Sequence, residues 1–328
     1  MFIWLVLLFL IPATLFFLAF LYLLRLDYIQ AKMRSLARAL FYSETIQRKA
    51  IEGNVAAQFN LGVMYERGKN VPQSFQEAAG WYHKAAEQGD SHAQVNLGFL
   101  YVHGKGVTQN SEEAARWFQK AATQNNADAQ FNLGFAYEQG EGLPQNFRKA
   151  ALWFQKAANQ GHAFAQNRLG IAYALGQGVP QNVQEAVRWF QKAARQGDSQ
   201  AQNNLGVAYA KGLGLAQNDK KAASWFRKAA TQGYALAQKN LGGAYLEGKG
   251  VPQDMVRAYV WIIHAANGGN REAIAAKQLL SETLTQEQHR EAMDLLKRRL
   301  ISLKKQNTAP KPEDEVLGLD LDLDLDSE

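Results

Sequence analysis

The sequence predicts an all-α protein, a solenoid of helix-hairpin repeats preceded by a single transmembrane helix. Three observations predict it. Trp recurs at Trp81, Trp117, Trp153, Trp189, Trp225 and Trp261, always 36 residues apart. Leu-Gly pairs recur in the same register, from Leu61-Gly62 to Leu241-Gly242. A period of this length marks stacked supersecondary units. Met1 to Leu24, finally, carries no charged side chain.

Residues 1–24 come first. Phe2 to Leu24 is long enough to cross a bilayer as a helix. Seventeen of these residues are Leu, Ile, Phe or Val, which favours insertion by about 5 to 10 kcal/mol. Trp4 and Tyr22 stand near the two ends as interfacial anchors, and Pro12 kinks the span without forbidding it. A cleaved signal peptide fits less well. No basic residue precedes Phe2, and Leu23-Leu24-Arg25-Leu26 lacks a small-residue cleavage site. The basic flank of Arg25, Lys32, Arg34 and Arg38 is expected to stay in the cytoplasm. The expected localisation is therefore a single-pass protein of a bacterial inner membrane, with its repeats in the cytoplasm.

Residues 25–53 form a basic juxtamembrane segment and a capping helix, Lys32 to Ile51, that Gly53 stops. Six repeats then occupy residues 54–269. In each, a first helix opens at Asn54, Asp90, Asn126, His162, Asp198 or Tyr234, four of which are good N-caps. Ala57, Leu61 and Tyr65, and their successors, share one helical face. A Gly-x-Gly turn follows in five repeats, with Gly68-Lys69-Asn70 in the first. The second helix opens at Ser74, Asn110, Asn146, Asn182, Asn218 or Asp254, all capping residues. Glu77, Glu113 and Glu185 complete capping-box patterns. Ala78, Trp81 and Ala85 line the inner face, so the tryptophans read as core rather than as a ligand cage. A glycine inside a helix costs about 1 kcal/mol against Ala. Six Leu-Gly glycines in one register therefore imply a close approach between helices. No hairpin buries its apolar face alone, so neighbours must stack.

The repeated pattern is Ala-Gln-x-Asn-Leu-Gly-x-x-Tyr-x-x-Gly-x-Gly-Val-x-Gln-Asn, then Ala-x-x-Trp-Phe-x-Lys-Ala-Ala-x-x-Gly. It closely resembles the Sel-one-like repeat (SLR) family, a tetratricopeptide-like group. The resemblance implies a right-handed α/α superhelix and a scaffold that holds other proteins. Some family members carry paired cysteines, and some were once described as β-lactamases. Neither feature transfers to a chain without cysteine.

Residues 270–306 read as C-terminal capping helices. Asn270 to Leu280 begins like a seventh repeat, but Lys277-Gln278 replaces Leu-Gly. Thr285 to Gln288 starts a last helix, whose Leu295, Leu296, Leu300 and Leu303 are expected to cover the solenoid's end. Residues 307–328 read as a disordered acidic tail ending in Leu319 to Asp326, an alternation of Leu and Asp. It either solubilises the chain, adds to a partner as a strand, or docks in a basic groove, the protein's own included.

Composition excludes several classes. Without cysteine there are no disulfides, thiolate metal sites, iron–sulfur clusters or cysteine nucleophiles. Net charge is +6, made of −7 in residues 307–328 and +13 elsewhere. That excess is spread over repeats, so nucleic acid is not an expected partner. The six histidines show no metal-ligand spacing. The Gly-x-Gly turns lack the strand and third glycine of a dinucleotide loop. Ser302-Leu303-Lys304-Lys305 matches a Ser-x-x-Lys motif by spacing alone. No catalytic constellation, cofactor or metal site is expected.

Function is expected on a stripe of the first helices. Counting each repeat from its first N-cap, position 7 holds Asn60, Asn96, Asn132, Arg168, Asn204 and Asn240. Around it the stripe varies: His92 and Phe164 stand at position 3, Phe99 and Phe135 at position 10. An Asn amide offers a donor and an acceptor, matching a peptide backbone. The family resemblance adds that first helices line a concave groove and that a similar Asn contacts ligand backbone. Alternatively each Asn bonds the adjacent repeat's backbone and only holds the stack together; the sequence leaves both open. Arg168 breaks the ladder. The expected function is a membrane-anchored adaptor that binds a protein or peptide partner. A regulator of a cell-envelope enzyme or secretion system, and a secreted host-directed effector, are the alternatives.

Overall fold

The computed structural model describes residues 43–308. They contain fifteen helices and, among the described residues, no strand. Residues 43–51 form α1. Twelve helices of 13 residues follow in pairs: α2 (Val55–Arg67) with α3 (Phe75–Glu87), α4 (Ser91–His103) with α5 (Ser111–Thr123), and α6 (Ala127–Gln139) with α7 (Phe147–Asn159). Then come α8 (Ala163–Leu175) with α9 (Val183–Arg195), α10 (Ser199–Lys211) with α11 (Asp219–Thr231), and α12 (Ala235–Glu247) with α13 (Met255–Asn267). The described residues close with α14 (Arg271–Thr283) and α15 (Gln286–Thr308). Two compact units divide at Gln160 and Gly161. Within each, hairpin partners pack together, and each second helix packs on the next first helix.

The expectation of a single-pass membrane localisation is corrected here. Among the described residues no helix is long and apolar enough to cross a membrane. The repeat helices have 13 residues, about 20 Å of helix, against the roughly 20 apolar residues a span requires. The longer α15 is rich in Lys, Arg, Glu and Gln. Residues 1–24, on which the expectation rested, lie outside the described residues, as does the tail beyond Thr308; Asn307 and Thr308, expected in the tail, belong to the last helix.

Helix starts follow the capping residues. Asn54, Asp90, Asn126 and Asp198 each accept from the backbone N–H three residues on. His162 does the same through Nδ1, at 3.1 Å from Ala165 N. Tyr234 makes no side-chain cap. The second helices are capped likewise, but the capping box forms by half. The backbone N–H of Ser74, Asn110 and Asn182 donates instead to the carbonyl of Tyr65, Tyr101 and Tyr173. With that donor already used, Glu113 and Glu185 turn to Arg116 and Arg188.

The Leu-Gly glycines do admit a close neighbour: the ring one hairpin arm away. A Cβ on Gly98 would lie 2.6 Å from Phe118 Cε1, and one on Gly206 2.6 Å from Phe226. The turn glycines have a different task. Gly106 combines φ 71° with a position against the Phe75 carbonyl that leaves no room for Cβ. Trp117 and Trp189 are buried, and their fellows are half-buried. In five repeats the lysine three residues on lies over the indole, 3.8 to 4.2 Å from its centroid. Each indole is thus covered by its own helix.

Within each unit, a buried glutamine stitches a repeat to its neighbours. Gln94 donates to Ala86 O at 3.0 Å, in the preceding second helix. Its Oε1 accepts from Gln124 Nε2 at 2.9 Å, at the end of its own hairpin. Gln58, Gln130, Gln202 and Gln238 repeat the carbonyl bond. Gln58, Gln130, Gln166 and Gln202 repeat the amide bond. The last repeat breaks the series: Gln238 Oε1 is buried without a partner, because Gly268 stands where the other repeats have Gln.

The two ends are covered. Ile46 and Ala50 of α1 pack on Ala57, Leu61 and Met64. α15 lies on α13, placing Ala292, Leu295 and Leu296 with Val256, Tyr259 and Ile263. Its start is a full capping box. Gln288 N donates to Thr285 Oγ1 at 3.2 Å, and Thr285 N to Gln288 Oε1 at 2.9 Å.

Two stability outcomes follow. Gly98→Ala should lower the melting temperature of the full chain: overpacking against Phe118 costs about 1–3 kcal/mol and outweighs the roughly 1 kcal/mol of helix propensity gained. Adding Phe118→Leu should recover part of the loss. Gly268→Gln should raise the melting temperature, by about 1 kcal/mol, by giving Gln238 its donor. Its Cβ would meet Ala235 Cβ at 3.0 Å, but Gln160 sits in the equivalent place after Ala127, which shows that the framework takes the pair.

Candidate functional site

The stripe of positions 3, 7, 10 and 14 opens into a cavity in each unit. In the N-terminal unit the cavity is about 190 Å³, with Phe99, Phe118 and Phe135 as its aromatic wall. Asn132, His103 and Glu141 supply its polar edge. Phe99 stands edge-on to Phe118, with centroids 5.5 Å apart. Asn132 donates to Asp128 O at 2.8 Å, within its own helix. Asn96 hydrogen-bonds the Tyr82 side chain, which donates to Glu66 Oε2 at 2.5 Å. Burial first, then the Glu66 carboxylate, pushes the Tyr82 phenol far above its ordinary value. Asn60 is half-buried on α2. His92 is exposed, its ring 6.1 Å from that of Phe59.

The C-terminal unit handles its asparagines differently. Position 6 is aromatic or aliphatic in the first three repeats and becomes Asn167 and Asn203 in the next two. Both are 1% exposed. Asn204 donates to Asn167 Oδ1 at 3.0 Å, and Asn240 to Asn203 Oδ1 at 2.9 Å. Asn167 in turn donates to Gln200 Oε1 at 3.2 Å. Position 7 therefore clasps the preceding repeat, side chain to side chain, through its Nδ2. Sequence reasoning did not anticipate these clasps, although the Asn203-Asn204 doublet was a visible signal. Phe164 is 61% exposed, its ring 6.0 Å from His162. Of the ten expected site residues, Phe99, Asn132 and Phe135 share one cavity, Asn240 lines the other and joins the clasps with Asn204, and Asn60, His92, Asn96, Phe164 and Arg168 line neither.

The second cavity is about 580 Å³, between α10 and α14. Val207, Phe226, Ala244 and Ile262 give it an apolar floor. It exists because position 10 of the sixth repeat is Gly243, where the others have Val, Phe or Ile. A Cβ there would meet nothing within 4 Å. Lys239 pairs with Glu272 across the rim at 2.6 Å, which holds the Glu272 carboxyl below its ordinary value. Lys249 pairs with Glu247 at 2.5 Å. Among the described residues no group of His, Asp and Glu is arranged to hold a metal ion.

Arg168 departs from Asn at position 7 where a buried acid follows. Asp198 caps α10, accepting from Ala201 N at 2.6 Å. Burial pushes its carboxyl up, against the opposing pull of that hydrogen bond and of Arg168. Because the folded group titrates above its unfolded value, its ionised form subtracts stability at neutral pH. That loss is recovered as pH falls through the folded pKa. Asp198→Asn keeps the cap and removes the buried charge. It should therefore raise the melting temperature at pH 7, with the gain over the unsubstituted chain shrinking toward zero in acid.

Comparison with known proteins places this architecture. The Sel1 repeat model matches residues 55–90, 91–126, 127–162, 163–198, 199–234 and 235–270. One similar structure, titled c5321, a protective antigen present in uropathogenic Escherichia coli strains, displays an SLR fold. It is 34% identical with a TM-score of 0.68, over 77% of this chain and 56% of that chain. The chain therefore spans little more than half of that protein. A Sel1 repeat protein from Oxalobacter formigenes is 35% identical with a TM-score of 0.61, over 65% of this chain and 85% of that chain. No curated protein matches. Six abutting matches cover well over half of the sequence, and the buried side chains repeat in the same register: the chain belongs to the Sel1 repeat family.

Proposed function

We infer that this protein is a non-catalytic adaptor that binds extended peptide segments of protein partners along its first-helix stripe. The observation that carries this reading is the pair of cavities opening at the same repeat positions in both units. Each has an apolar floor and an Asn at its edge. A peptide needs both: a recess for a side chain, and amide groups to meet its backbone. The Asn carbonyl oxygens suit that use, since the clasps of Asn204 and Asn240 engage only Nδ2. Membership of the Sel1 repeat family agrees with an interaction scaffold.

The test is selection of peptides from a displayed random library against the full chain. Peptides bound in the N-terminal unit should lose about tenfold or more in affinity on Phe99→Ala or Phe135→Ala, with circular dichroism unchanged. Selected peptides indifferent to these changes, and to Gly243→Phe in the other unit, would place binding elsewhere and sink the reading.

A further inference from the structure

We propose that the acidic–apolar segment Leu319–Asp326 docks in the 580 Å³ cavity of the C-terminal unit and shields that part of the stripe from outside partners. This rests on the peptide-binding reading and adds a resident ligand to it. Charge selects the unit. Residues 43–160 hold eleven basic and eleven acidic side chains, whereas residues 161–306 hold twenty basic and ten acidic. The fifth repeat alone sets Lys211, Lys220, Lys221, Arg227 and Lys228 against Asp198 and Asp219. The last 22 residues hold eight acids and one Lys. Two oppositely charged parts of one chain attract over a Debye length, about 8–10 Å at physiological salt.

Shape agrees with charge. In an extended segment, successive side chains point to opposite sides. Leu319, Leu321, Leu323 and Leu325 then share one edge, and the four aspartates share the other. The cavity offers an apolar floor to the first edge, and to the second a rim on which Lys211, Lys239 and Lys249 stand with Asp219, Glu247 and Glu272. Lys239 and Lys249 already face Glu272 and Glu247. Among the described residues no ion pair engages Lys211, which makes it the principal contact for an aspartate. The equivalent recess in the N-terminal unit is narrowed by Phe99 and Phe135 and lies in the neutral half. α15 packs on α13, which contributes Ile262 to the floor, and ten extended residues after Thr308 cover about 33 Å.

A fluorescein-labelled peptide of residues 313–328 tests this, titrated by anisotropy against the full chain and against a chain ending at Pro312. The shortened chain should bind it at least about tenfold more tightly, because the tethered tail competes at a millimolar effective concentration. Within the shortened chain, Gly243→Phe should weaken binding about tenfold or more, and Lys211→Glu several-fold with a shallower salt dependence. A peptide with its four leucines changed to Ser should not bind. Should Gly243→Phe melt early, the exposed Lys211→Glu still decides. Equal affinity for full and shortened chains, or binding untouched by both substitutions, overturns the docking. Library peptides that bind the stripe while the tail peptide does not would overturn the docking alone; absence of both would overturn the adaptor reading with it.

Discussion

Everything else in this molecule depends on one buried amide per repeat. A glutamine at 2–7% exposure sits where its Nε2 reaches a carbonyl at the end of the preceding hairpin. Its Oε1 is reached by the glutamine that ends its own hairpin, 30 residues on. Burying an amide without partners costs on the order of 1–3 kcal/mol. Within each unit, a slip of one hairpin against the next would incur that cost. Apolar packing is tolerant of small displacements, whereas a two-sided amide bond is not. The hydrophobic contacts make neighbours stack; the glutamines fix where they stack.

With the register fixed, a single substitution acts locally. The backbone around position 10 is held by the cap before it, by the Leu-Gly contact beside it and by the left-handed glycine after it. Changing Val or Phe to Gly at that position moves no helix, so the space the side chain would fill stays open. That is the origin of the cavity at Gly243. Repeats of this kind separate two jobs: invariant positions carry the stack, and the variable ones beside Asn shape the surface.

The separation explains what was legible in the sequence. Caps, turns and the Leu-Gly approach depend on residues within one hairpin, and Asn110, Gly104 and Gly98 could each be read with local rules. The glutamine recurrence was equally visible, but its partners lie in two different hairpins, and periodicity does not say which atom meets which. The capping boxes were misjudged for a related reason. Their reciprocal arm needs a free N–H on Ser74, Asn110 and Asn182, and a tyrosine carbonyl nine residues earlier claims it. At position 7 the alternatives were a ligand's backbone or a neighbour's backbone. In the C-terminal unit the structure supplies a third partner, the side chain of a buried Asn at position 6 of the preceding repeat. The cavities were illegible for the same reason: an exposed stripe can be read from periodicity, but its depth depends on what stands behind it.

The two units also show how one repeat plan accommodates opposite electrostatic settings. The charged positions that differ between them, such as Arg195, Arg227 and Lys239, lie outside the invariant set of Ala, Leu, Gly and Gln. The stack is therefore indifferent to them, since exposed charges contribute little to stability. Selection on the surface can then set the charge of each repeat independently. A neutral half with an aromatic recess, and a basic half with a larger one, present two chemically distinct surfaces on one scaffold.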